Sequence, residues 1–181
     1  MRIDASPNLA CASLFLRPLD LSDVSAWYQY LSLRLAVEHT SWNVKSTEDL
    51  RTSLEWYNSD DPSSAIRFAI CSESDDALIG TIGFHTISTV NRTSEIAYDL
   101  HPAYWGRGIA STACRSVVAW GFENREYVRI QGATLETNVR SVRVLQKCGF
   151  SLEGTLRNYR MVRGEPRNFL LYSTLTVHEL E

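Results

Sequence analysis

The chain has four cysteines in 181 residues, and no two of them form a Cys-x-x-Cys pair: Cys11, Cys71, Cys114 and Cys148 stand far apart. That spacing argues against a metal site and provides no disulfide framework, so the cysteines read as small buried thiols of a reducing compartment. There is no apolar run approaching the roughly 20 residues that a membrane-spanning helix needs, so no membrane association is expected. The stretch from Met1 to Ala12 holds one basic residue and no apolar segment. A secretory signal is therefore not expected, and the expected location is cytoplasmic. Asn91-Arg92-Thr93 fits a glycosylation acceptor, but without a signal it reads as a polar turn. Basic excess is missing too: 18 Lys and Arg stand against 21 Asp and Glu, a net charge of −3. A nucleic-acid partner is not expected, because such proteins usually carry a basic stripe.

What is present is an ordinary globular composition, 44% hydrophobic and 22% charged. It suits one domain over residues 1–181, long enough to bury a core without covalent staples. Residues 13–17 read as a strand ended by Pro18. A helix capped by Ser22 or Asp23 follows, with Val24, Trp27, Tyr28 and Leu31 at helical spacing. Residues 39–45 form a polar loop around Trp42, and a second helix runs from Ser46 or Thr47 to about Tyr57. Strands are expected over 66–71, 77–88 and 95–100, with Gly80 and Gly83 marking a bulge or a close approach inside the second. A helix follows from Ile109, then a strand over 128–135, then a short helix over 138–147 stopped by Gly149. Strands over 150–152 and 169–177, separated by a charged hairpin around Gly164, close the chain. This order predicts a mixed α/β domain around a single sheet.

The junction between strand and helix at Tyr104-Trp105-Gly106-Arg107-Gly108-Ile109-Ala110 has the chemistry of an anion cradle. Unpaired amides at a helix start point outward, and the helix dipole adds partial positive charge. Gly106 and Gly108 let an anion approach the backbone, and Arg107 adds a formal charge. The run is neither G-x-x-x-x-G-K-[ST] nor G-x-G-x-x-G, so a P-loop and a dinucleotide fold are poor matches.

The stretch from Glu95 to Ala110 resembles the acyl-CoA-binding core of the GNAT N-acetyltransferase superfamily. Its Gln/Arg-x-x-Gly-x-Gly/Ala signature falls on Trp105 to Ala110, with Trp105 in place of the first polar residue. That departure is typical of the RimJ/RimL-like branch of ribosomal-protein N-terminal acetyltransferases. Downstream, Asn138-Val139-Arg140-Ser141-Val142-Arg143-Val144-Leu145-Gln146-Lys147-Cys148-Gly149-Phe150 is similar to the family's N-x-x-S-x-x-[VL]-x-x-K-x-G-F segment. The opening Leu14 to Leu19 with Asp23 also resembles this branch.

The resemblance implies a mostly antiparallel mixed sheet with one splayed parallel strand pair and helices on both faces. It implies acetyl-CoA as acyl donor, CoA as product, and an amine acceptor; the expected assembly is a monomer or homodimer. Trp105, Gly106, Arg107, Gly108, Ile109, Ala110 and Ser111 would form the pyrophosphate site, with the pantetheine arm beside the strand ending at Leu100. Asn138 would bond the pantetheine or cap its own helix, and Arg143 and Lys147 would reach the adenosine 3′-phosphate. Many members use a tyrosine as acid where this chain has Leu145, which cannot donate a proton. Ser141, one helical turn earlier on the same face, becomes the expected acid or thiolate hydrogen-bond donor. Glu95 is the expected general base, acting through water. Trp42, His85 and Tyr28 are the expected acceptor-side residues, His85 also as a possible second base. Cys148 has no evident histidine partner and is not expected to be a nucleophile, since an amine attacks a thioester directly. The expected acceptor is a protein or peptide N-terminal α-amine. The alternatives are a small amine (antibiotic, polyamine or amino acid) or a non-catalytic acyl-CoA-binding module.

Overall fold

The computed structural model describes residues 6–11, 13–57 and 59–176. The strands are β1 (Leu14–Pro18), β2 (Ile66–Ser72), β3 (Leu78–Ser88), β4 (Thr93–Leu100), β5 (Arg129–Leu135), β6 (Ser151–Val162) and β7 (Glu165–Leu175). The helices are α1 (Val24–Leu31), α2 (Arg34–Val37), α3 (Thr47–Tyr57), α4 (Ile109–Arg125) and α5 (Val139–Lys147). All seven strands lie in one sheet of order β1-β2-β3-β4-β5-β7-β6. Every neighbouring pair is antiparallel except β4 and β5.

Strand alternation explains why both faces are covered. Phe68 and Ile70 of β2 join a large core with Ile82, Phe84, Ile96, Ala113, Val117 and Ile130, beneath α4 and α5. Their neighbours Ala69 and Cys71 point the other way, into a second core with Trp27, Tyr30, Leu31, Leu50 and Leu54 from α1 and α3. A strand buried on both faces reads as a continuous apolar run, as β2 does. Gly121 brings α4 down onto the sheet: a Cβ there would sit 2.8 Å from Phe84 Cζ and 3.1 Å from Ile130 Cδ1.

The expected strands and the four expected helices are present, with three differences. A 3-10 turn over Leu21–Asp23 precedes α1, and its cap is Asp20, whose side chain accepts from the Ser22 N–H in a capping box with Asp23. Asp23, one of the two expected caps, is the N-cap position of α1 but makes no side-chain cap bond there; its carboxylate is held by Arg17 at 2.7 and 2.8 Å. The four-residue α2 was not expected, being too short to show an apolar stripe. The last two strands run to 12 and 11 residues and pair along most of their length, where short strands were expected. Most of β6 is exposed, so its sequence lacks the alternation that marks a half-buried strand. Val177, expected to end β7, lies outside the described residues.

The feature that makes the site is the parallel pair. β4 and β5 share three register pairs, Thr93 with Arg129, Ser94 with Ile130 and Glu95 with Gln131. Beyond them Ile96–Leu100 and Gly132–Leu135 diverge. Two β-bulges frame the same place: the β3–β4 register slips between Phe84 and Thr86, and the β6–β7 register slips between Leu156 and Arg160.

Candidate active site

At the start of α4 the glycine turn has the conformation its sequence requires. Gly106 and Gly108 take φ +79° and +78°, and a Cβ at either would meet nothing within 4 Å. The cradle is therefore open to a ligand. Gly108 is the N-cap and supplies no side-chain cap. The first intrahelical bond runs from the Thr112 N–H to the Gly108 carbonyl at 3.0 Å. The amides of Ile109, Ala110 and Ser111 thus have no helical acceptor, and a phosphate fits them. Trp105 pins the turn: its indole N–H donates to the Leu100 carbonyl at 2.8 Å, and the Arg140 guanidinium covers its ring at 4.5 Å. Leu100 therefore meets the turn through its carbonyl. The strand that lines the splay is Ile96–Asp99.

The splay opens into a cavity of about 410 Å³. One wall is β4 (Ile96–Asp99), the opposite wall is β5 (Gly132–Leu135), and Asn138, Ser141 and Leu145 of the α5 segment close one side. Asn138 caps α5, its side-chain oxygen accepting from the Ser141 N–H at 3.1 Å. The far end is walled by Leu31, Val37, His39, Trp42, Tyr57, Arg67, His85, Arg160 and Phe169. Trp42 stacks edge-on against Trp27 with ring centroids 5.3 Å apart. Tyr28 lies outside the cavity wall; its hydroxyl donates to the Lys45 carbonyl at 2.8 Å and ties down the loop that carries Trp42.

Two carboxylates of β4 face this end. Asp99 is saturated. Its Oδ1 accepts from the Tyr30 hydroxyl and, at 3.3 Å, from the Trp27 indole; its Oδ2 accepts from Arg67 and, at 2.8 Å, from Thr81. Glu95, 4% exposed, has three partners: His85 Nε2 at 3.1 Å, Arg160 at 2.8 Å and Gln131 at 3.3 Å. Burial pushes its pKa up, but His85, Arg160 and Gln131 outweigh that and hold the carboxyl below its usual value. Both charged or titratable partners reach it through bulges. His85 is the extra residue between the Phe84–Ile96 and Thr86–Glu95 pairs, and Arg160 resumes pairing just after the β6 irregularity. The other imidazole nitrogen, Nδ1, lies 2.9 Å from the Thr86 hydroxyl.

On the opposite face of β4, the Tyr98 hydroxyl lies 2.7 Å from Ser141 Oγ, a contact in which either oxygen could donate, and 3.3 Å from the Ser141 carbonyl. Burial pushes the phenol well above its usual pKa.

The acetyltransferase (GNAT) domain model matches residues 13–151. The chain belongs to the GNAT acetyltransferase family. The uncharacterised N-acetyltransferase p20 of Bacillus licheniformis is 30% identical over 90% of this chain and 92% of its own length. The uncharacterised N-acetyltransferase YoaA of Bacillus subtilis (strain 168) is 38% identical over 63% of this chain, and the match spans 64% of that relative. Among solved structures, RimL, the ribosomal L7/L12 alpha-N-protein acetyltransferase in complex with coenzyme A, superposes with a TM-score of 0.84. It is 21% identical and covers 94% of this chain and 98% of its own.

In this GNAT chain the expected site residues fall into three groups. Trp42, His85, Asn138 and Ser141 line the cavity, and Glu95 lies immediately behind His85. Trp105 to Ser111 form the separate turn at the head of α4. Arg143 and Lys147 are exposed on α5 outside the cavity wall. Sequence reasoning missed Arg160, Arg67, Tyr98 and Arg140. Their partners lie 65, 32, 43 and 35 residues away, and no local pattern marks such contacts. Among the described residues no helix is long and apolar enough to cross a membrane, and no cluster of His, Cys, Asp and Glu could hold a metal ion.

Proposed function

We propose that this chain transfers an acetyl group from acetyl-CoA to a primary amine, and that the acceptor is the N-terminal α-amine of a protein or peptide. The observation that carries the choice of acceptor is the saturation of Asp99. Among the described residues Asp99 supplies the carboxylate of the cavity wall, and four donors take its lone pairs. Glu95 is set behind His85 and paired with Arg160. A polyamine carries several ammonium groups and needs free counter-charge, which this wall does not offer. A single amine that must lose its proton is better suited to it.

Acetyl-CoA, when bound, supplies the thioester that the amine attacks and the thiolate that leaves. The amides of Ile109 to Ser111 and the open turn at Gly106 and Gly108 would hold its pyrophosphate. The β4 backbone at Ile96–Asp99 would flank the pantetheine, with Asn138 on the α5 side. Reference pKa values make an α-amine an easy acceptor: keeping it neutral at pH 7 costs about 1–1.4 kcal/mol, against about 4.6 kcal/mol for lysine. A weak base is enough. His85 is placed for that role, because Glu95 accepts from Nε2–H and so leaves Nδ1 as the proton acceptor. Nδ1 now lies 2.9 Å from the exposed Thr86 hydroxyl, and the amine, or a water between them, would replace that contact. Glu95 then acts by fixing the imidazole, in addition to the water-mediated base role expected of it. Ser141 offers its hydroxyl to the leaving sulfur, since Leu145 cannot.

Isothermal titration with acetyl-CoA beside the Gly108→Glu variant tests the donor site: binding is expected in the wild type and lost in the variant. Absence of wild-type binding overturns the enzyme reading. Mass spectrometry of products from free-N-terminal peptides, N-blocked lysine peptides, amino acids and spermidine tests the acceptor. Faster turnover of spermidine than of any peptide overturns the N-terminal reading.

A further inference from the structure

We infer that Tyr98 is a positioning residue for thiolate departure: its buried hydroxyl donates to Ser141 Oγ and turns the Ser141 proton toward the sulfur of the acyl donor. This rests on the acetyl-CoA reading above. The two oxygens lie 2.7 Å apart, and Ser141 itself is fixed by the bond from its N–H to Asn138. Ser141 lines the cavity, and the tyrosine ring packs against the main core. A serine hydroxyl has one proton. If that proton were spent on Tyr98, none would face the cavity. With Tyr98 as donor, the hydrogen-bond chain runs one way, phenol to serine to sulfur, and each link strengthens the next.

The chain carries hydrogen bonds and no net proton transfer. The leaving thiol has a reference pKa of about 8.5 and phenol about 10, and burial raises Tyr98 further. Moving the tyrosine proton to the thiolate is therefore uphill. The C–S bond breaks to a thiolate that Ser141 stabilises, and the thiolate takes its proton from solvent after release.

This predicts a signature in product binding that needs no knowledge of the acceptor. The affinities of CoA and desulfo-CoA are compared by calorimetry at pH 7 and pH 9. In the wild type the preference for CoA is expected to rise about tenfold across that range, as one hydrogen bond to a charged sulfur forms. In Tyr98→Phe, which keeps the ring, the rise is expected to vanish while desulfo-CoA binds as before. Ser141→Ala is expected to behave the same way, and the double variant no worse. The titratable groups facing the phenol are Cys114 of α4 and Cys148 behind α5. Both remain in every variant, so their titration cancels. A wild-type preference that is flat with pH, or one that Tyr98→Phe retains, overturns the inference. Failure of the wild type to bind either nucleotide instead overturns the donor reading. Should Tyr98→Phe not fold, Ser141→Ala and wild type still decide whether the sulfur is bonded, and 3-fluorotyrosine at position 98 decides whether the phenol is its support: the onset of the preference must then shift in pH.

Discussion

Glu95 and Asp99 are four residues apart on one strand, point to the same face, and are each paired with an arginine, yet they have different surroundings. The donors to Asp99 are Trp27, Tyr30, Arg67 and Thr81, all buried. They tie α1 to three strands, and no lone pair is left over. The partners of Glu95 include His85 and Arg160, which are 31% and 28% exposed and form part of the cavity wall. A carboxylate whose donors are all buried and whose lone pairs are all taken belongs to the fold, even though Arg67 reaches the cavity wall. One whose donors are themselves part-exposed in that wall can act on what enters it.

The difference is broken most severely at Asp99. Asp99→Asn leaves the Arg67 charge buried and is expected to cost about 3–5 kcal/mol of stability. Denaturant unfolding measures it, and a loss below about 1 kcal/mol would place Asp99 with the functional groups instead. Glu95→Gln is expected to leave acetyl-CoA affinity nearly unchanged and to lower acetylation about a hundredfold. Steady-state kinetics beside titration separates the two effects, and unchanged turnover removes Glu95 from the mechanism. With an α-amine acceptor the wild-type rate is expected to climb about tenfold per pH unit below 7.7–8.0 and then level, because the amine must be neutral to attack. A rise continuing toward pH 10 would indicate lysine. The smallest effect is on acid stability. Glu95 has a folded pKa below its unfolded value, so its contribution is complete above the ordinary carboxylate range and is lost as pH falls through the folded value. The stability gap between wild type and Glu95→Gln should therefore close on acidification.

The two carboxylates also show what the sequence displays. The glycine turn is local chemistry, and positive φ at Gly106 and Gly108 with uncapped amides behind them can be read from six residues. The strand placing Glu95, and the helix placing Ser141 one turn before Leu145, follow from alternation and periodicity. The donors that distinguish Glu95 from Asp99 do not. His85 and Arg160 arrive through irregularities in β3 and β6, and a bulge leaves no period to detect. The saturation of Asp99 needs Trp27 and Tyr30, some 70 residues upstream on a helix whose aromatics read simply as packing. That is why the glycine turn was legible and the surroundings of the two carboxylates were not.

The brief parallel pairing of β4 with β5 has a mechanical consequence. Across the middle of the sheet, three register pairs join β1–β4 to the β5-β7-β6 half, and the rest of the seam is open. A slender ligand laid along that opening would act as a splint, bonded to one half and packed against the other. Its binding free energy would then appear as resistance to separation of the halves, with slowed amide exchange along β5 and β7 and a concentration-dependent rise in Tm.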